Sequence, residues 1–130
     1  MRGDGRSLCA RFEAGTLAPD EFSHEDHVRV AFDLLQRHEF LEATARFGRG
    51  ARALAARSGV PERFNATITL AFLALIRECM VQEVPASAEA LLQQYPQLTH
   101  RGLLSRWYSS ARLASPLARQ AFVLPDRAPG

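Results

Sequence analysis

The run ITLAFLALI, residues 68–76, restricts the fold more than any other part of the 130-residue chain. It lies in a segment with helical spacing, 61–81, and it is apolar on nearly every side. A helix of that kind has to be covered by other elements of the structure. The sequence therefore predicts a central helix over 61–81.

Five further segments have helical patterns, and none has the two-residue alternation of a strand. They cover about 23–38, 39–58, 87–95, 99–108 and 116–122. Ser23, with Asp26 three residues on, predicts the start of the first of them. We expect an all-α fold, a compact bundle of four to six helices around a buried central helix. Residues 1–130 are expected to form a single helical domain, with a loose N-terminal arm over 1–15 and an extended tail over 123–130.

Composition limits the function classes. All 16 basic residues are Arg, which indicates the codon usage of a GC-rich bacterial genome, and the net charge of +2 is too small to imply a nucleic-acid partner. No run approaches the roughly 20 apolar residues that cross a bilayer. The N-terminus has no apolar signal region, and two cysteines, Cys9 and Cys79, do not make a disulfide framework. We expect a cytoplasmic protein without membrane or nucleic-acid partners, and its oligomeric state stays open.

The segment FSHEDHVRVAF, 22–32, contains the first candidate site. His24 and His27 lie three apart on one helix face, so their side chains are neighbours at the first turn. Two imidazoles there can transfer protons, which makes them candidate catalytic residues, or hold an anion. They can equally be ordinary packing and capping residues. Zinc sites need three or four protein ligands, so the pair predicts neither a metal site nor a cofactor.

Polar residues interrupt the predicted central helix. Asn65 and Thr69 are four apart and share a face, whereas Thr67 points elsewhere. One interpretation has the threonines bonding back to carbonyls one turn earlier. The other has Asn65 and Thr69 facing the histidines across a small pocket.

The C-terminal block 107–126 combines aromatic, hydroxyl and charged residues. Tyr108, Arg112 and Arg119 are candidate substrate-binding residues, because arginine binds carboxylates and phosphates through two N–H groups. Alternatively, Asp126 pairs with one of the arginines and holds the tail on the bundle.

Together, the three blocks resemble an uncharacterised family of small bacterial all-helical proteins. The resemblance covers 22–126 and consists of an F-x-H-x-x-H segment, a YHxTxT-like segment and a YS…AR..F..PD ending. It implies that His24, His27, Thr67 and Thr69 form one site, and it implies no activity. This chain departs from the pattern at Asn65, where the family has His, so a site of three imidazoles is not expected from it.

Two functions follow from these patterns. The first is a small-molecule-binding protein or enzyme of a specialised biosynthetic pathway, with a histidine-containing pocket between the first and central helices. The second is a non-enzymatic helical interaction module that docks through the arginines of the 39–58 helix. An enclosed pocket reached by both histidines favours the first, and an exposed apolar patch favours the second.

Overall fold

The computed structural model describes residues 5–82 and 85–127, and this part of the chain is all-α, as predicted. Its helices are α1 Gly5–Ala14, α2 His24–Arg37, α3 Phe40–Arg57, α4 Ala66–Gln82, α5 Ala88–Gln94, α6 Ser110–Ala114 and α7 Pro116–Gln120. Short 3-10 turns lie at Pro19–Glu21, Pro61–Arg63 and Pro96–Thr99. None of the helices within these ranges is long and apolar enough to reach across a bilayer.

Helix α2 begins where the sequence predicts. The Asp26 backbone N–H donates to the Ser23 hydroxyl at 3.1 Å, and the Ser23 N–H donates to the Asp26 carboxylate at 3.1 Å. These bonds satisfy two backbone donors that a helix start leaves unpaired. The cap fixes the first turn of α2 and therefore the positions of His24 and His27.

A buried central helix is present, but it is α2 and not the helix predicted over 61–81. Helix α2 packs against α1, α3, α4 and α5. It buries six apolar side chains, namely Val28, Val30, Ala31, Phe32, Leu34 and Leu35. Helix α4 is less covered, because one of its faces borders an open cavity and leaves Ile68 40% exposed.

The expectation of a loose N-terminal arm over 1–15 is wrong for the residues of this range that the structure describes. Gly5–Ala14 forms helix α1, and its residues Cys9 and Phe12 are buried in the core. The Phe12 ring stacks on Phe22 at a centroid distance of 5.1 Å and lies against Gly50 of α3. Residues 1–4 lie outside the described part.

The second half of the chain mixes confirmed and wrong predictions. Helices α5 and α7 begin close to the predicted positions, and Ser87 and Ser115 cap them. The helix predicted from Thr99 is wrong, since residues 101–107 form successive turns. Helix α6 lies where the sequence predicts no helix, and α4 begins five residues later than Pro61, after a 3-10 turn. Within the predicted tail, 123–125 has no regular secondary structure, and 128–130 lies outside the described residues.

Candidate functional site

A cavity of about 860 Å³ lies between α2, α3, α4 and the 98–105 segment. Its interior is mainly apolar and aromatic, with Phe47, Leu54 and Phe72 among the lining residues. His24, His27, Asn65 and Thr69 all border it. The structure thus brings these four sequence-predicted residues to one space. His38 lies at the other end of α2, beside a smaller cavity of about 520 Å³.

The two histidines are neighbours at the start of α2. Their ring centroids are 6.0 Å apart; His24 is exposed and His27 is half-buried. The His27 ring packs on Phe22 at 4.4 Å and faces Phe47 at 6.3 Å. Aromatic contacts on two sides hold the His27 imidazole in the cavity wall.

The proton position on the His27 imidazole follows from the hydrogen bond that its ring makes. Its Nδ1 atom lies 2.9 Å from the carbonyl oxygen of Ser23, which can only accept. We therefore assign the N–H to Nδ1, which leaves a lone pair on Nε2. Burial lowers the pKa of His27 below its ordinary value, and the proximity of His24 adds to the shift; the Ser23 carbonyl and Asp26 oppose it. A neutral imidazole with an unbonded Nε2 can accept a proton.

Asn65 anchors the cavity wall. Its side-chain N–H donates to the carbonyl of Leu113 at 2.7 Å, and its side-chain oxygen accepts from the backbone N–H of Ile68 at 2.9 Å. The first bond ties α6 to the start of α4, and the second caps α4. Both ends of the Asn65 amide therefore have structural partners. The Thr69 hydroxyl, one turn later, has no hydrogen-bond partner among the described residues.

Thr67 does not belong to this site, which corrects the expectation. It is 0% exposed, and its hydroxyl donates to the carbonyl of Ala121 at 2.7 Å and accepts from the N–H of Val123 at 3.0 Å. Two residues from Thr69 along α4, it faces the C-terminal segment and not the cavity. Neither threonine makes the backbond to its own helix that the alternative interpretation proposed.

The C-terminal candidates are mostly structural. Tyr108 borders the cavity, but its hydroxyl is buried and donates to the carbonyl of Val123 at 2.8 Å. Arg112 donates from Nε to the carbonyl of Leu124 at 3.1 Å, and Arg119 is exposed; neither lines the cavity. Both arginines were expected to bind substrate at this site, and the structure places them elsewhere.

The tail is held by Asp126, but not through an arginine pair. The Asp126 carboxylate accepts from the backbone N–H of Ser109 at 2.8 Å and from its hydroxyl at 2.6 Å. These bonds lower the pKa of Asp126. The predicted structural role for this carboxylate is thus met by a different partner.

Sequence reasoning missed the four basic residues that line the cavity beside His24 and His27. His100 and Arg101 follow the 3-10 turn Pro96–Thr99, Arg63 ends the turn before α4, and Arg127 is in the tail. They come from three distant parts of the chain and belong to no motif. Only the tertiary packing brings them to the same cavity.

The cavity residues do not form a recognisable metal centre. Within 5–82 and 85–127, no group of three or more His, Cys, Asp or Glu side chains is arranged to hold a metal ion.

Comparison of the chain with protein-family models, curated proteins and solved structures gives no match. The resemblance to a small bacterial family therefore stays a prediction, and any function has to be argued from the cavity itself.

Proposed function

We propose that this chain binds a small organic molecule in the cavity beside His24 and His27. The observation that carries the proposal is the cavity's combination of size and lining. Ligand pockets typically measure about 300–1,000 Å³ and place a few polar groups among apolar and aromatic side chains. The cavity volume of about 860 Å³ falls in that range, and its lining has that composition.

His27 supplies the chemistry if the bound molecule is also converted. Its Nε2 lone pair can accept a proton from a ligand, and a neutral histidine is the form that a general base needs. His24, at a ring-centroid distance of 6.0 Å, supplies a second imidazole for returning a proton. Thr69, whose hydroxyl has no hydrogen-bond partner in the described part of the chain, can orient the ligand. The reaction class is not part of the proposal.

The alternative function, docking through the arginines of α3, has less support. Arg46 binds Glu13 and Glu42 of its own chain at 3.1 and 2.8 Å. Arg52 lies over the Phe64 ring at 4.7 Å, and Arg57 donates to the carbonyl of Leu17 at 2.7 Å. These guanidinium groups already have intramolecular partners, so they do not form an unoccupied basic face.

Obstruction of the cavity tests the proposal. Ala55 of α3 borders the cavity, whereas the next residue, Ala56, is exposed and does not. Ala55→Phe should fill part of the cavity, and Ala56→Phe is its matched control. Ser58→Trp, at an exposed position of the cavity rim, is a second obstruction that leaves the core unchanged.

A panel of small organic molecules would be screened by thermal shift against these variants. We expect ligands that raise the melting temperature of the parent chain and of Ala56→Phe, with the effect lost in Ala55→Phe and Ser58→Trp. Replacing both His24 and His27 with Gln should leave the helical content intact and weaken binding or turnover. Equal ligand responses in all variants would show that binding occurs elsewhere.

A further inference from the structure

The charges around the cavity define the ligand more narrowly. We infer that the ligand is an amphiphilic organic anion, with an apolar body inside the cavity and a carboxylate or phosphate head at its rim. This inference rests on the proposed function, since it names the substrate class of the same site.

The first observation is a one-sided charge distribution. Arg63, Arg101 and Arg127 line the cavity together with three histidines, His24, His27 and His100. Among the described residues that line it, none is Asp or Glu. The whole chain has 16 basic and 14 acidic residues, so a lining without any carboxylate departs from the balance of the molecule.

The second observation is that two of these arginines are unpaired. Among the described residues, every arginine that forms an ion pair lies away from the cavity, as does Arg29 with Asp26 and Glu89. Arg63 and Arg101 are exposed and form no ion pair or side-chain hydrogen bond with any described residue. Their N–H groups are therefore available to a ligand.

Arg127 differs from the other two. Its Nη1 donates to the carbonyl of Ser105 at 2.6 Å, which fixes the side chain against the cavity wall. The carbonyl is neutral, so the positive charge of Arg127 has no ionic partner there. A planar guanidinium held in place can still offer its remaining N–H groups to an oxyanion.

The third observation is the contrast between rim and interior. The arginines and His100 are exposed, whereas Phe47 is buried and Phe72 is half-buried. A small inorganic anion would contact the rim and leave the apolar interior open to water. A neutral apolar molecule would fill the interior and leave the arginines unused. A molecule with an anionic head and an apolar body contacts both the basic rim and the apolar interior.

Head-group analogues of one chain length test this inference on the intact protein. Decanoate, decyl phosphate, decanol and decylammonium share an apolar body and differ in charge. By calorimetry in low-salt buffer at pH 7.5, we expect the two anions to bind at least about fivefold more tightly than decanol, with decylammonium weakest. The preference should shrink as salt is added, because the rim is exposed.

Charge variants locate the effect. Arg63→Gln combined with Arg101→Gln should weaken binding of the anions about fivefold to tenfold and leave decanol unchanged. Arg49→Gln is the matched control, because Arg49 is an exposed arginine of α3 that does not line the cavity. It should leave all four affinities unchanged.

The possible failures are distinguishable. If decanol binds as tightly as the anions, or if the double variant binds them as tightly as the parent, the inference is wrong while the binding function stands. If none of the four molecules binds, or if Ala55→Phe does not reduce their binding, the proposed function is wrong and the inference with it.

Discussion

The carbonyl oxygen of Ser23 accepts two hydrogen bonds from His27, one from the backbone N–H at 3.1 Å and one from Nδ1 of the ring at 2.9 Å. The residue that caps α2 with its side chain therefore also orients the imidazole one turn later. Among residues 5–82 and 85–127, the ring nitrogen Nε2 has no hydrogen-bond partner. The position of the His27 ring in the folded protein also links its protonation state to the stability of the fold.

Stability should fall as the pH decreases from about 7.5 to 5.5. The pKa of His27 is lowered in the folded protein, chiefly by burial, so the unfolded chain binds this proton more readily. Since protonation then favours the unfolded state, the contribution is complete above the ordinary histidine pKa of about 6.5 and is lost below it. His27→Asn, which keeps a donor toward Ser23, should reduce this loss. Urea unfolding at several pH values measures it.

The control for this prediction is His100→Asn, because His100 is an exposed histidine of the same cavity. It should retain the pH dependence of the parent chain. His24 and Asp26 also face His27, so His24→Gln should weaken the dependence in part. An unchanged slope in His27→Asn would contradict the assignment.

Thr67→Val should destabilise the protein by about 2–4 kcal/mol, because it leaves the part-buried Ala121 carbonyl and the buried Val123 N–H without their partner. Thr69→Val, two residues away, should cost less than about 1 kcal/mol, since the Thr69 hydroxyl has no partner among the described residues. Thr67→Ser, which keeps the hydroxyl, should recover most of the loss. Chemical denaturation of the three variants measures the difference, and equal costs at the two positions would rule out the Thr67 bridge.

The two glycines of α3 should respond oppositely to alanine. A Cβ atom on Gly48 would meet nothing within 4 Å, so Gly48→Ala should stabilise the helix by about 0.5–1 kcal/mol. A Cβ atom on Gly50 would overlap the Phe12 ring, so Gly50→Ala should destabilise the protein by about 1–3 kcal/mol. Thermal unfolding distinguishes the two signs. A stabilising Gly50→Ala would mean that α1 does not pack on α3 as described.

The two thiols should differ in reactivity. Cys9 is buried, and burial together with Asp33 raises the pKa of its thiol to about 12. Cys79 is half-buried, and burial also raises the pKa of its thiol. With a disulfide reagent at pH 8, Cys79 should react first and Cys9 at least ~100-fold more slowly, unless the protein unfolds. Thiol counts before and after adding guanidinium check this, and a Cys9–Cys79 disulfide in the purified protein would contradict it.

Helix starts that depend on nearby residues were predictable from the sequence. Ser23, Ser87 and Ser115 each cap a helix through a backbone N–H three residues on, so the whole interaction lies within one short segment. Helix α1 was missed for the opposite reason. Gly3, Gly5 and Gly15 suggested a loose arm, whereas the helix is covered by the distant side chains that Cys9 and Phe12 contact.

The residues of the candidate site also divide into those that local spacing predicts and those that depend on distant parts of the chain. His24 and His27 are joined by helical spacing, which the sequence contains. The role of Thr67 depends on Ala121, 54 residues away, and no pattern predicts such a partner. The turns at 101–107, which bring His100 and Arg101 to the cavity, resembled a helix in the sequence because Leu103, Leu104 and Trp107 have helical spacing.

Arg127 joins the last described residues of the chain to one side of the cavity. Its side chain bonds to the carbonyl of Ser105, and its backbone N–H donates to the carbonyl of Trp107 at 3.0 Å. A truncation that removes Arg127 would therefore remove both hydrogen bonds between this residue and the 101–107 segment. An affinity tag placed directly after Arg127 would crowd the rim of the cavity. Tags for binding measurements therefore belong at the N-terminal end of the chain.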